Sequence, residues 1–168
     1  MIKPGYLQHM ARYNRWQNDN LYTAADTLSE AERRQDRGSF FKSIHATFSH
    51  ILWADQTWMS RLGDWEAPKT DIPGSTTLYN DWAELRSLRI AADFRFIRWA
   101  DELSQSDADG DLIYFSTSGE QQTRKRAICL MQVFNHQTHH RGQIHAMLTA
   151  AGAKPDDTDI QFMPEAYF

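Results

Sequence analysis

The segment Asn135–His145 holds four of the chain's seven histidines within eleven consecutive positions. It sits inside a helical pattern that runs from Ala127 to Ala151. A helix turns about 100° per residue, so phase decides which imidazoles can act together. His136 and His140 are four apart and share a face. His139 lies on the same side as His136 but swings away from His140, and His145 points roughly opposite. An i, i+4 histidine pair is the helical spacing that lets two imidazoles grip one metal ion. Two nitrogens hold a metal weakly, so the pair predicts a third ligand from elsewhere in the chain.

The rest of the chain supplies more helices. Pro4 can open a first helix, and Leu7, Met10, Tyr13, Trp16 and Leu21 recur at helical spacing toward Leu28. Ser29-Glu30-Ala31-Glu32 reads as a capping box for a short helix that ends near Gly38. Ser39 to Leu62 is strongly helical, with Phe41, Ile44, Phe48, Ile51 and Met59 on one broad apolar face. A second stripe on that helix, Ser43, Ala46, Thr47, His50, Ala54 and Thr57, is built from small side chains and leaves open room around His50. Pro68, Pro73 and Gly74 mark Gly63 to Thr77 as a long loop. Leu78 to Leu103 reads as the next helix, with Leu85, Ala92 and Phe96 inside and Arg86, Arg89, Arg95 and Arg98 outside. Leu112 to Thr117 and Gln121 to Arg126 form a candidate hairpin around Ser118-Gly119. The last long helix ends near Ala151-Gly152, with Pro155 beyond, and the aromatic tail of Phe162, Tyr167 and Phe168 is expected to pack back. Four long helices and a minor hairpin predict an all-α four-helix bundle, and 168 residues fit a single domain, 1–168.

Bulk composition narrows the function classes. A net charge of −4 argues against a nucleic-acid partner, and Arg124-Lys125-Arg126 reads as solvated surface. One cysteine, Cys129, excludes an internal disulfide and fits a reducing compartment. No run is apolar enough to span a membrane and no signal peptide is recognisable, so the expected location is cytoplasmic.

His50 is the best third ligand, since it lies in the middle of another helix on the small-residue stripe. Three neutral imidazoles suit Zn, Ni, Fe or Cu and leave a coordination position open. An open position acidifies a bound water or thiol and so favours catalysis over a structural role. His139 supports the ligands or faces solvent, and Gln143 either orients a ligand or water or serves as an interhelical amide. Arg141 is expected in a plain salt bridge, with attraction of an anionic substrate as the alternative. Gly142 suggests close approach of another helix, Cys129 a small buried residue, and His45 a structural role. His9 and His145 have no assigned role. Asp55 is about 140° from His50 and does not face the same metal, so no general base is identified.

His136-Gln137-Thr138-His139-His140-Arg141-Gly142-Gln143 resembles the HxxxHRGQ signature of the DinB-like (DNA-damage-inducible, YfiT-like) family. Ser43 to Asp55 resembles the segment around that family's first metal histidine, and Tyr13 to Asn18 its first helix. The resemblance implies an up-down-down-up bundle, often a homodimer, with a divalent transition metal (Zn, Ni or Fe) on His50, His136 and His140. The resemblance implies relatives that include metal-dependent transferases and isomerases using low-molecular-weight thiols, and proteins described as metal-dependent hydrolases. The main expectation is therefore a metal-dependent enzyme that activates a low-molecular-weight thiol or water toward a small-molecule substrate. The alternative is a non-catalytic metal-binding stress-response or binding module.

Overall fold

The computed structural model describes residues 2–168. Four long helices dominate: α1 (Pro4–Asp26), α3 (Ile44–Leu62), α5 (Trp82–Glu102) and α7 (Arg126–Ala150). Three short ones punctuate the connections: α2 (Glu30–Arg34), α4 (Ile72–Ser75) and α6 (Gln105–Ala108). Strands β1 (Asp111–Phe115) and β2 (Gln121–Lys125) form an antiparallel hairpin just before α7, with Ile113 opposite Thr123. This is the expected all-α architecture with its minor hairpin.

Contacts at the helix ends give the directions. Arg12 near the start of α1 pairs with Asp101 at the end of α5, through two bonds of 2.8 and 3.0 Å. Asp26 at the end of α1 accepts from the Trp82 indole at the start of α5 at 2.7 Å. These helices are therefore antiparallel. Phe48 meets Trp82 where α3 and α5 begin, and Gly63 approaches Trp99 where they end, so those two run parallel. Arg126 at the start of α7 donates to Leu62 O at the end of α3, which makes that pair antiparallel. The order is up, down, down, up.

That topology has a consequence for the connection from α3 to α5. Two parallel neighbours require the chain to travel back along the bundle, about 28 Å for a helix the length of α3. The return path is pinned to α3 along its way. Trp53 Nε1 donates to Thr70 O at 2.9 Å, Ser49 Oγ to Ser75 O at 2.6 Å, and His45 Nε2 to Tyr79 O at 2.7 Å. The loop thus runs antiparallel to α3 and passes His50, with α4 a single turn capped by Asp71.

The core is apolar and centred on Leu7, Phe48, Leu85, Phe96, Phe134 and Ile144, each essentially inaccessible. Through it runs a polar chain that touches all four long helices. Gln137 Nε2 donates to Asp55 Oδ1 at 2.9 Å, and Arg89 donates to Asp55 Oδ2. Arg89 also pairs with Asp93 at 2.9 Å, and Asn18 Nδ2 donates to Asp93 Oδ1 at 2.9 Å. Arg89 was expected on the outer face of its helix. It is buried instead, because Asp55 and Asp93 supply the counter-charges that make burial of a guanidinium tolerable.

Other expectations need correction. Helix α3 does not begin at Ser39. Ser43 caps it by accepting from Ala46 N at 3.2 Å, and Lys42 at φ 71° takes the preceding chain out of helical phase. Phe41 is therefore in a turn rather than on the helix's apolar face. Helix α5 starts at Trp82, not Leu78, because Asp81 caps it. In the tail, Met163 is buried and Tyr167 bonds Asp19 at 3.0 Å, but Phe162 and Phe168 stay exposed.

Candidate metal centre

Helix α3 presents His50, and one face of α7 presents His136 and His140. The structure brings these three histidines together: one nitrogen from each lies within 4.8 Å of the others. His136 Nε2 is 3.1 Å from His140 Nε2 and 3.4 Å from His50 Nε2. Nitrogens about 2.0–2.1 Å from a tetrahedral metal sit about 3.3 Å apart. The observed spacing matches that edge.

The second nitrogens decide the protonation of the first. Ser75 Oγ donates its proton to Ile72 O at 2.6 Å, so it can only accept from His50 Nδ1, 2.8 Å away. His50 therefore carries its proton on Nδ1 and turns a bare Nε2 toward the cluster. His140 Nδ1 donates to Gln143 Oε1 at 2.8 Å, which leaves its Nε2 bare as well. The Gln143 amide then donates to His139 Nε2 at 3.1 Å. At most one proton, from His136, can lie among the three converging nitrogens. A cation placed between them satisfies every lone pair at once, so this donor set fits a metal ion.

Electrostatics point the same way. Burial, then the neighbouring His136 and His140, lowers His50 to about 3. Burial, then His140 and His139, lowers His136 to about 4. His140 is lowered by burial, with the Gln143 bond partly opposing. All three are neutral near pH 7, which is the ligating form.

The surroundings differ from the open room expected beside the small-residue stripe. Phe41 lies against His50 at a ring distance of 3.9 Å and near His140 at 5.3 Å. The Trp53 ring also stacks with that of His50 at 5.5 Å. These rings crowd His50, and His136 is the least buried of the three histidines. Phe41, Trp53 and Ser75 were not foreseen as neighbours of the cluster. The turn residues Pro73 and Gly74 mark a loop in the sequence, but nothing marks where that loop docks.

The remaining candidates are placed as follows. His139 is exposed and steadies Gln143, while His45 is buried and holds the return loop. Asp55 is turned into the core toward Arg89, away from the histidines. Burial pushes its carboxyl up to about 6 although Arg89 opposes the shift. Cys129 is buried, and burial pushes its thiol up, so it is a poor nucleophile. Arg141 forms no salt bridge among the described residues. It donates to Gln137 Oε1 at 2.9 Å and lies 5.5 Å from the Tyr13 ring centre. Burial lowers it to about 10. A Cβ on Gly142 would touch nothing within 4 Å, so this glycine does not serve close helix packing.

Comparison with known proteins identifies the family and the fold. The model of the DinB family matches residues 1–167. The chain belongs to the DinB family. It is 28% identical over 152 residues to Protein DinB of Bacillus subtilis (strain 168), covering 88% of this chain and 87% of the relative. Its fold resembles the crystal structure of a DinB-like protein from Bacillus cereus ATCC 10987, with a TM-score of 0.63 and 18% identity. That match covers 84% of this chain and 90% of the other. No helix among the described residues is long and apolar enough to cross a membrane.

Proposed function

We propose that this DinB-family chain is a metal-dependent enzyme whose metal is held by His50, His136 and His140. The single observation that carries the reading is the convergence of three Nε2 atoms, two of them bared by bonds on the opposite ring nitrogen. A divalent transition metal such as Zn, Ni or Fe would supply Lewis acidity there, making a bound water or low-molecular-weight thiol a better nucleophile. Ser75 and Gln143 would hold the rings of His50 and His140 in the ligating orientation. Phe41 and Trp53 would keep bulk water from the His50 side, which leaves approach past His136. The reaction is then attack by thiol or water on a small electrophile.

The covering by Phe41 also favours a second reading, a metal-holding module without catalysis. The two separate on one set of measurements. The chain is purified without a histidine tag and away from chelators, its metal is measured, and thermal shifts are recorded with common cellular thiols. The enzyme reading expects about one metal per chain, loss of that metal in His140→Ala, and a thiol-dependent shift only in the loaded protein. Metal without any thiol response, together with no turnover of electrophilic thiol acceptors or hydrolysable esters, supports the module. Near-zero metal in the unmodified chain overturns both.

A further inference from the structure

Arg141 is the feature that the metal centre leaves unused. It adjoins His140 in sequence but turns about 100° away, toward α1 instead of α3. Its side chain is buried, with 4% of the residue exposed. A guanidinium has five N–H donors, and among the described residues only two bonds to protein acceptors engage this one: Gln137 Oε1 at 2.9 Å and Thr138 Oγ1 at 3.3 Å. Both acceptors are neutral. Arg89 in the same core pairs with two carboxylates, whereas Arg141 is linked to the carboxylate of Asp55 only through the Gln137 amide. A buried cation without a direct counter-charge is costly, and a ligand anion is one way to relieve it.

A cavity lies beside this cation. It has a volume of about 270 Å³ and is lined by Tyr13, Gln17, Leu21, Arg141, Gly142 and Thr158, among others. The tail forms one wall, because Tyr13 donates to Thr158 O at 2.7 Å and Gln17 to Asp157 O at 3.0 Å. Gly142 opens on this cavity with nothing within 4 Å of where a Cβ would stand. Pockets for drug-sized ligands run from about 300 to 1,000 Å³, so the occupant here is smaller than those.

We propose that this cavity between α1 and α7 binds a compact organic carboxylate on Arg141. The planar guanidinium matches a carboxylate in shape and charge. The Tyr13 ring and Leu21 suit a short apolar or aromatic body. Asp159 adjoins the lining residue Thr158 in sequence and acts electrostatically on Tyr13, and a negative charge there disfavours a dianion such as phosphate more than a monoanion. The site is separate from the metal centre and does not depend on it.

The test is a thermal-shift titration of the full chain at constant ionic strength, in metal-loaded and metal-stripped forms. The probes are sodium acetate, sodium benzoate, inorganic phosphate and sodium chloride. A saturable rise in Tm of about 2–5 °C is expected with acetate or benzoate at ten times the dissociation constant, in both forms. Gly142→Leu fills the cavity while improving helix propensity. It should abolish the rise and leave the metal content unchanged. Arg141→Lys should weaken binding by about tenfold or more. The proposal is overturned by a response no larger than that of chloride, or by an undiminished response in Gly142→Leu. A response confined to the metal-loaded form also overturns it, since the carboxylate then binds at the histidines. A response to phosphate equal to or stronger than that to benzoate overturns the choice of a carboxylate.

Discussion

His50 and Ser75 show how much of a metal site resides in atoms that never touch the metal. The Ser75 hydroxyl is fixed by Ile72 O, so it acts on His50 only as an acceptor. Removing it frees the His50 proton to occupy Nε2, the ligating position. Ser75→Ala should therefore lower metal affinity by about tenfold or more. Competition against a chromogenic chelator measures this, and an unchanged affinity would show that the hydroxyl does not set the tautomer. The lowered pKa values of the same cluster give a second expectation. For imidazoles of ordinary pKa, about 6.5, a fall from pH 7 to 5.5 would cost about tenfold in affinity per ligand. His50 at about 3 and His136 at about 4 remain unprotonated over that interval. Affinity should thus fall far less than the roughly thousandfold that three ordinary ligands would give. For the metal-free fold the sign is fixed too. The unfolded chain takes up these protons first, so their contribution to stability is lost as pH falls from about 6.5 toward the folded values.

Helix α3 depends on its first turn, and the turn depends on two adjacent residues with opposite problems. Ser43 supplies the cap, and its replacement by Ala should cost about 1 kcal/mol. Lys42 occupies the left-handed region at φ 71°, which strains a non-glycine residue by about 1–2 kcal/mol. Glycine there loses about 0.5–1 kcal/mol through greater freedom in the unfolded chain. Lys42→Gly should then stabilise by about 0.5–1 kcal/mol, and denaturant titration of both variants reads the two signs. If Lys42→Gly destabilises, the turn that sets Phe41 over His50 does not hold this conformation. The same junction shows what the sequence could and could not convey. Periodicity found all four long helices, and helical phase singled out His136 and His140, because both depend on neighbours along the chain. It carried the α3 pattern back through Phe41, since an aromatic residue at helical spacing looks the same in a turn. Ser43 itself is a good capping residue and was the local signal for the boundary. The docking of Ser75 on His50 is set by the return of a long loop along the bundle, and no local pattern encodes that distance. The burial of Arg89 escaped notice for a related reason: Asp93 lies four residues along the same helix, but the other partner, Asp55, becomes a neighbour only when α3 packs against α5.

Across the whole molecule, the buried chain from Asn18 through Asp93, Arg89 and Asp55 to Gln137 and Arg141 joins the four long helices in one register. Two carboxylates and two guanidiniums balance in charge, but the balance is uneven, because Arg89 directly serves both acids. Substituting Arg89→Met leaves two buried carboxylates unpaired, a loss of about 3–5 kcal/mol near pH 7. Burial already pushes Asp55 up to about 6 and raises Asp93, while Arg89 opposes both shifts. Without Arg89 both rise further. A carboxyl whose folded pKa lies above its unfolded value destabilises most at high pH, and the penalty shrinks as pH falls toward the unfolded value of about 4. The difference in unfolding free energy between Arg89→Met and the unmodified chain should thus be smaller at pH 5 than at pH 7. Urea denaturation of both proteins at the two pH values, each stripped of metal, checks this. A penalty that is constant or larger at pH 5 would mean that the carboxylates find other partners. Because the same core fixes α3 against α7, Arg89→Met should also lower metal affinity at pH 7, although it touches no histidine. An affinity equal to that of the unmodified chain would show that the register of His50 against His136 and His140 is held by apolar packing alone.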